Sequence, residues 1–223
     1  MWHRFAALAV LTPLFVCAAD PPAEKEKKQP ALRVDADVPG PFHPFNVTGR
    51  YGPHKVQNED VEGTYHCPVT EHAEDPMVLV FTRDLEVGDK LKSLLEKLDD
   101  VTKKNLSARL AATIVFLDKD LPDILGSDDK NEDARRDLVA KLTAKFAGMF
   151  TEKNPFTRQN LVIVCLGSDT DLAKYELNPE HKATVVLYNK LKIRAVHAVA
   201  DLDDVCIDKI MTDVDKQLGA SKK

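Results

Sequence analysis

Three unbroken apolar runs constrain the fold of this chain more than any other feature of its sequence. They are separated by longer stretches in which apolar residues recur at helical spacing. The runs are Met77–Thr82, Ala111–Leu117 and Leu161–Leu166. A run of this length is typical of a strand that is buried on both faces, as in a parallel sheet covered by helices. The alternation therefore predicts an α/β fold built from parallel β-α-β units.

The helical spacing occurs in three stretches, of which the last closes the chain. The stretches are Val87–Lys104, Asp133–Phe150 and Asp203–Leu218. Asp203 or Asp204 is a suitable N-cap for the last helix, because a carboxylate there accepts hydrogen bonds from the first-turn N–H groups. Before this helix, Ala183–Tyr188 and Ile193–Val199 predict two strands joined by a tight hairpin.

The N-terminal part of the chain has a different character. Met1–Ala19 has the positive start, short apolar core and small final residues of a signal peptide, with a retained membrane anchor as the alternative. Residues 20–39 are charged and rich in proline, which predicts a disordered linker before a domain over residues 40–220. Within that domain, Phe42–Thr48 and His54–Asn58 predict an N-terminal hairpin. We expect an exported protein, periplasmic or extracellular, with no membrane contact after cleavage.

The charge of the chain argues against one class of partner. The whole sequence has 31 basic and 36 acidic residues, and removing the signal peptide with Arg4 leaves 30 against 36, a formal charge of −6. A broad basic face for nucleic acid is therefore not expected. The expected partner is a protein or a small ligand in the cell envelope.

Three segments carry a resemblance to a known family. They are residues 67–85, 111–120 and 175–199, which hold a cysteine turn before the first strand, the second strand and the final hairpin. With the order of elements, they resemble thioredoxin-like proteins of the peroxiredoxin and thiol-disulfide oxidoreductase branch, and more narrowly exported thioredoxin-domain proteins of planctomycete bacteria. The resemblance implies a three-layer α/β/α sandwich with an N-terminal β-hairpin extension and a C-terminal β-hairpin plus helix.

The sequence departs from that family at its redox elements. A thioredoxin carries Cys-x-x-Cys after the first central strand, where this chain reads Arg83-Asp84-Leu85-Glu86. The cis-proline that precedes the hairpin in the family has no counterpart in His181-Lys182-Ala183. In the planctomycete group the early turn reads Cys-x-x-Cys, and here Thr70 replaces the second cysteine of this degenerate motif. The departures predict a protein without a dithiol site.

Cys67 is the remaining candidate catalytic residue, with Thr70 in the place of its partner. A lone thiolate could react if His66 or His72 activated it, or these histidines and Cys67 could bind copper or zinc. Pairing of Cys67 with Cys165 or Cys206 is left open by the sequence. We expect a non-catalytic binding or scaffold module without a cofactor. The alternative is a single-thiol oxidoreductase or copper-binding protein centred on Cys67.

Overall fold

The computed structural model describes residues 30–47, 63–120, 132–145, 161–166 and 170–221, and for 161–166 it describes the backbone. The elements in chain order are β1 (Phe45–Asn46), α1 (Pro68–Glu71), β2 (Met77–Thr82), α2 (Asp89–Lys104), β3 (Ala111–Leu117), α3 (Glu132–Lys145), β4 (Leu161–Leu166), β5 (Ala183–Asn189), β6 (Lys192–Val199) and α4 (Asp204–Ser221). Short 3₁₀ helices lie at Leu106–Ala108 and Thr170–Tyr175.

The described strands form one six-stranded mixed sheet in the order β1-β4-β3-β2-β5-β6. Strands β2, β3 and β4 are parallel, whereas β5 and β6 form an antiparallel hairpin beside β2. The three apolar runs coincide with β2, β3 and β4, so the predicted parallel β-α-β units are confirmed. No helix of the described residues is long and apolar enough to cross a membrane.

One face of the sheet, here called the helical face, is covered by α2, α3 and α4. The helices turn their apolar stripes onto alternate strand residues, because side chains of a strand point to opposite faces in turn. Fully buried contacts on this face include Val80, Ile114 and Val185 from the strands and Leu94 and Ile210 from the helices. Asp203 accepts a hydrogen bond from the N–H of Cys206 at 2.7 Å, as expected of the N-cap of α4.

The opposite face, here called the loop face, is covered mainly by irregular chain. Residues 32–42, α1 and the 3₁₀ helix at Thr170–Tyr175 lie over the other side chains of β2 and β5. At its centre, Phe42, Phe81 and Tyr175 form a buried triangle of aromatic rings with centroids 5.3–5.7 Å apart. The third layer of the sandwich is therefore present but contains little α-helix.

The N-terminal segment corrects one of the sequence predictions. Residues 35–38 bond to β6 and its turn, through Asp35 N–H to Ile193 O and Val38 N–H to Leu191 O, both at 2.8 Å. Val38 is also buried, so the predicted linker does not extend to residue 39. The backbone hydrogen bonds and one buried side chain fix this proline-rich segment despite its polar composition. Residues 1–29, with the predicted signal peptide, lie outside the described chain.

The predicted N-terminal hairpin is antiparallel as expected but uses other residues. Asn46 N–H donates to Thr64 O at 2.9 Å, and Gly63 N–H donates to Asn46 O at 2.8 Å. The segment that returns along β1 is therefore residues 63–66, which form an isolated bridge and no regular strand, while the predicted His54–Asn58 lies outside the described residues. Strand β1 also pairs with β4, which places it at the edge of the sheet.

Candidate functional site

Cys67 is the N-cap of the one-turn helix α1. Its Sγ accepts a hydrogen bond from the Thr70 N–H at 3.4 Å, and Pro68 occupies the first helical position. Proline suits that position, because its fixed φ is close to the helical value and no N–H is needed there. The turn ends at His72, whose N–H donates to Pro68 O at 3.0 Å. This helix is not among the elements predicted from the sequence, although Pro68 at its first position is a usable start signal.

The thiol of Cys67 is buried in the loop face. The residue is 7 % exposed and packs with the cluster that contains Phe42, Phe81 and Tyr175. It forms no disulfide, and neither does the half-buried Cys206, which lies on α4 over the helical face. The pairing of Cys67 with Cys165 or Cys206 that the sequence left open is therefore not present in this structure.

Tyr175 is the titratable neighbour of Cys67 inside this layer. Burial, with a smaller contribution from the Cys67 thiol, raises the pKa of the Tyr175 hydroxyl far above its usual value. The hydroxyl therefore remains protonated and donates a 2.5 Å hydrogen bond to Gly40 O. A protonated hydroxyl that donates to a backbone carbonyl stabilises the loop face. It does not act as a base toward the thiol.

The two histidines beside Cys67 each lie next to a carboxylate. His66 Nε2 lies 3.3 Å from Glu71 Oε2, and His72 Nδ1 lies 3.6 Å from Asp75 Oδ2. Arg109 Nε lies 3.0 Å from the other oxygen of Asp75, so this buried carboxylate has two partners. Asp75 is not among the residues predicted from the sequence, although its spacing of three residues from His72 is a usable signal for the contact.

The proposed metal set of His66, Cys67 and His72 is not assembled in the structure. No group of three or more histidine, cysteine, aspartate or glutamate side chains that could hold a metal occurs among the described residues, which include these three. In this structure each histidine lies beside a carboxylate, Glu71 or Asp75. The copper or zinc site suggested by their proximity in sequence therefore stays a prediction.

A cleft of about 330 Å³ lies between the end of β2 and the start of α2. It is separate from Cys67. Thr82, Asp84, Lys90, Lys182 and Asp201 are among its lining residues, and none of the residues that line it is a cysteine. Asp84 accepts hydrogen bonds from the N–H groups of Glu86 and Gly88, and Val87 has a φ of 53°. A β-branched residue such as Val87 is strained in this left-handed region. Because Val87 belongs to the tight loop and not to the helix, α2 begins at Asp89, two residues later than predicted.

Hydrogen bonds between the end of β2 and Lys182 hold the backbone beside this cleft. Lys182 O accepts hydrogen bonds from the Thr82 hydroxyl at 3.1 Å and from the Arg83 N–H at 3.2 Å. None of the peptide bonds in the described chain is cis, in agreement with the missing proline before β5. The Lys182 ammonium bonds to Asp201 at 2.7 Å, and this contact raises the pKa of Lys182. The cleft therefore presents charged side chains where a dithiol would stand.

Comparison with known proteins places this geometry in a fold family. No protein-family model matches the chain, and no curated protein matches it in sequence. Among solved structures, it is similar to a Chlorobium tepidum protein assigned as the thiol:disulfide interchange protein DsbE, with a TM-score of 0.51, 10 % identity and coverage of 84 % of this chain and 99 % of the other.

Two further structures are similar to the same extent. A Bacteroides thetaiotaomicron protein assigned as a disulfide isomerase has a TM-score of 0.51 at 13 % identity, covering 84 % of this chain and 91 % of its own. The reduced 2-Cys peroxiredoxin of Plasmodium vivax has a TM-score of 0.51 at 11 % identity, covering 86 % of this chain and all of its own, 100 %. The chain has a thioredoxin-like fold, and at these identities the likeness shows the fold alone.

Proposed function

We propose that this chain, with its thioredoxin-like fold, is a non-catalytic binding module of the cell envelope that holds a protein partner or a small ligand. The observation that carries the proposal is the cysteine-free cleft after β2, with its loop bonded to Lys182 O. Export is supported by the signal-like pattern of Met1–Ala19. The proposed function requires no metal and no organic cofactor.

The chemistry of thiol exchange supports the same proposal. A dithiol enzyme needs one thiolate to attack a disulfide and a second thiol close by to release the mixed disulfide. The two thiols whose surroundings are described, Cys67 and Cys206, belong to layers on opposite faces of the sheet. The Asp203 carboxylate, which accepts a hydrogen bond from the thiol, raises the pKa of Cys206 and so reduces its thiolate fraction. Neither thiol is placed to resolve a disulfide formed by the other.

One observation favours a second candidate, a single-thiol oxidoreductase centred on Cys67. The Thr70 N–H points at Sγ, so a backbone donor contacts the sulfur that would react. Such an enzyme would form a mixed disulfide at Cys67 and would need an external thiol to release it. Burial of Cys67 opposes this chemistry, because a buried sulfur cannot be reached by a substrate disulfide without opening of the loop face.

The accessibility of Cys67 separates the two candidates. We expect iodoacetamide to alkylate Cys67 at least about tenfold more slowly in the folded protein than in urea, because reaction requires local opening. Peptide mapping by mass spectrometry would identify the modified cysteine, with Cys67→Ser and Cys206→Ser as matched controls. Reduction of a disulfide substrate should be equal in the wild type and in Cys67→Ser.

The contrary result is equally specific. Rapid alkylation of Cys67 with an apparent thiol pKa well below about 8.5 would show an activated thiolate. Together with disulfide turnover that is lost in Cys67→Ser, it would replace the binding module by the single-thiol enzyme.

A further inference from the structure

A second and larger cleft lies at the end of the sheet opposite to the loop after β2. Its volume is about 880 Å³, which is within the usual range for sites that hold small organic ligands. Chain on the N-terminal side of β2 and β3 forms one wall, and the β5–β6 turn, β6 and the C-terminal half of α4 form the rest. The cleft is separate from Cys67 and from the position of a thioredoxin dithiol.

Four cations from three separated segments of the chain line this cleft. They are Arg109, Lys190, Arg194 and Lys216. Three carboxylates, Glu74, Asp75 and Asp213, give the lining a formal charge of +1, obtained as four positive minus three negative groups. The whole chain has a formal charge of −5, so the cleft is a local positive region on an acidic protein.

The accessible surface of the cleft is more cationic than this count, because two of the carboxylates lie behind their partners. The side chain of Asp75 is 11 % exposed while that of Arg109, 3.0 Å away, is 53 % exposed. Asp213 is 28 % exposed, and its partner Lys216, at 2.8 Å, is 71 % exposed. Asp213 also contacts His197 Nε2 at 3.1 Å. A ligand that enters the cleft therefore meets ammonium and guanidinium groups before these carboxylates.

In the part of the chain that the structure describes, these cations retain donors that other residues do not use. Arg109 bonds to Asp75 through Nε and Arg194 bonds to Asp35 through Nη1. Within the described ranges no ion pair involves Lys190, and the remaining guanidinium N–H groups of the two arginines have no carboxylate partner. Guanidinium groups recognise carboxylate and phosphate oxygens through paired hydrogen bonds.

Backbone conformation gives an independent indication. Lys190 and Leu191 form the two-residue turn between β5 and β6 with φ values of 52° and 57°, and Arg109 has a φ of 57°. Glycine or asparagine is the usual residue in a turn of this kind, because other side chains are strained there. Two cations of the cleft are therefore held in conformations that cost stability. Such strain is often found at functional sites.

We propose that this cleft binds a small organic anion with at least two carboxylate or phosphate groups. Lys190 and Arg194 are exposed cations of the lining, and a ligand with two or more anionic groups can contact several of the four cations at once. The proposal names the ligand class of the binding module, so it rests on the proposed function.

Calorimetric titration of the purified protein with citrate and with pyrophosphate tests the proposal, and acetate is the single-charge control. We expect at least one of the two probes to bind. The ratio of the two affinities then shows whether the cleft prefers carboxylate or phosphate groups. Arg194→Gln should weaken binding about tenfold or more, since it removes charge-assisted hydrogen bonds. Raising the salt from roughly 0.05 to 0.5 M should weaken it as well. Acetate binding as tight as that of citrate would overturn the proposal.

Lys190→Asn separates the ligand role from a structural role. Asparagine tolerates the left-handed turn, so the variant should have a higher Tm while binding the probe several-fold more weakly. Lys119→Gln is the matched control, because Lys119 is exposed beyond the carboxyl end of β3, at the other end of the sheet. Its affinity should equal that of the wild type within about twofold.

The outcomes that overturn the proposal also distinguish it from the proposed function. Failure of both probes to bind at about 10 mM, or equal affinity in all three variants, would remove the anion site. If disulfide turnover at Cys67 were also not detected, the binding module would stand with a different ligand. Disulfide turnover lost in Cys67→Ser would remove the module itself, whatever the titration shows.

Discussion

The helical face and the loop face bury the same sheet by different means. On the helical face, periodic stripes of leucine, isoleucine and valine from three helices cover the strands. On the loop face, aromatic rings and a segment with strand-like hydrogen bonds do so. The first arrangement spreads its contacts over many similar side chains, whereas the second depends on Phe42, Phe81 and Tyr175. The free thiol Cys67 belongs to the second arrangement.

The difference shows why the two faces have different significance for function. A helix satisfies its own backbone, so its sequence can vary wherever the apolar stripe is kept. Irregular chain must find a partner for each buried N–H and C=O, which ties particular residues to particular neighbours. The loop face is thus the more sensitive layer, and opening of this layer would be required to expose Cys67.

The largest effect on stability is expected for Phe81→Ala, which removes the ring that contacts both Phe42 and Tyr175. We expect a loss of about 3–5 kcal/mol in the free energy of unfolding, from lost burial and the cavity left behind. Leu94→Ala on the helical face is the reference, at about 2–5 kcal/mol. Urea unfolding measures both. A loss below about 1 kcal/mol for Phe81→Ala would mean that the aromatic triangle is loosely packed and would break the comparison.

A smaller test asks whether hydrogen bonds hold the loop face together. Tyr175→Phe keeps the ring but removes the donor to Gly40 O, so we expect a loss of about 0.5–1.5 kcal/mol. Urea unfolding of this variant beside Phe81→Ala would separate the hydroxyl from the ring. An unchanged stability would assign the role of Tyr175 to packing alone.

The smallest effect is expected on the helical face, where Lys145 near the end of α3 bonds to Asp118 after β3 at 2.8 Å. Burial would raise the pKa of Asp118, but the Lys145 hydrogen bond and the Asp120 N–H outweigh it, so the pKa is lowered. A lowered carboxyl pKa stabilises the fold above the unfolded value of about 4, and the contribution is lost as pH falls through the folded pKa.

The measurement for this pair compares the wild type with Lys145→Met at several pH values. We expect a difference below about 1 kcal/mol near neutral pH, because Lys145 is partly exposed. The difference should shrink as the solution is acidified below about pH 4. Lys119→Met, which removes a neighbouring lysine without an ion pair among the described residues, should show neither effect. A difference that grows on acidification would contradict the assigned sign.

Much of the sheet could be predicted from the sequence, and the reason is local. Met77–Thr82 and Ala111–Leu117 are apolar at every or nearly every position, a pattern typical of strands buried on both faces. The loop face could not be predicted, because Phe42 and Tyr175 are separated by more than a hundred residues and no sequence pattern links them. Residues 35–38 were predicted as linker since their partner is the distant β6.

The candidate sites were less predictable than the fold. The loss of the dithiol is visible in the sequence, as Arg83-Asp84-Leu85-Glu86 contains no cysteine. Proximity in sequence suggested that His66, His72 and Cys67 act together, but a turn directs neighbours to different partners, here Glu71 and Asp75. The cationic cleft gave no signal at all, because its residues come from four separated segments.

The pairing of residues 35–38 with the first part of β6 has a consequence for colloidal behaviour. Strand β6 is an outer strand of the sheet, and an uncovered outer strand offers unpaired backbone groups to another chain. The N-terminal segment occupies part of that row, and the charged side chain of Arg194 discourages strand addition along the next residues. At the other margin, β1 is only two residues long, and residues 63–66 bond to its outer side. The segment that resembled a spacer in the sequence thus helps to protect the protein from aggregation.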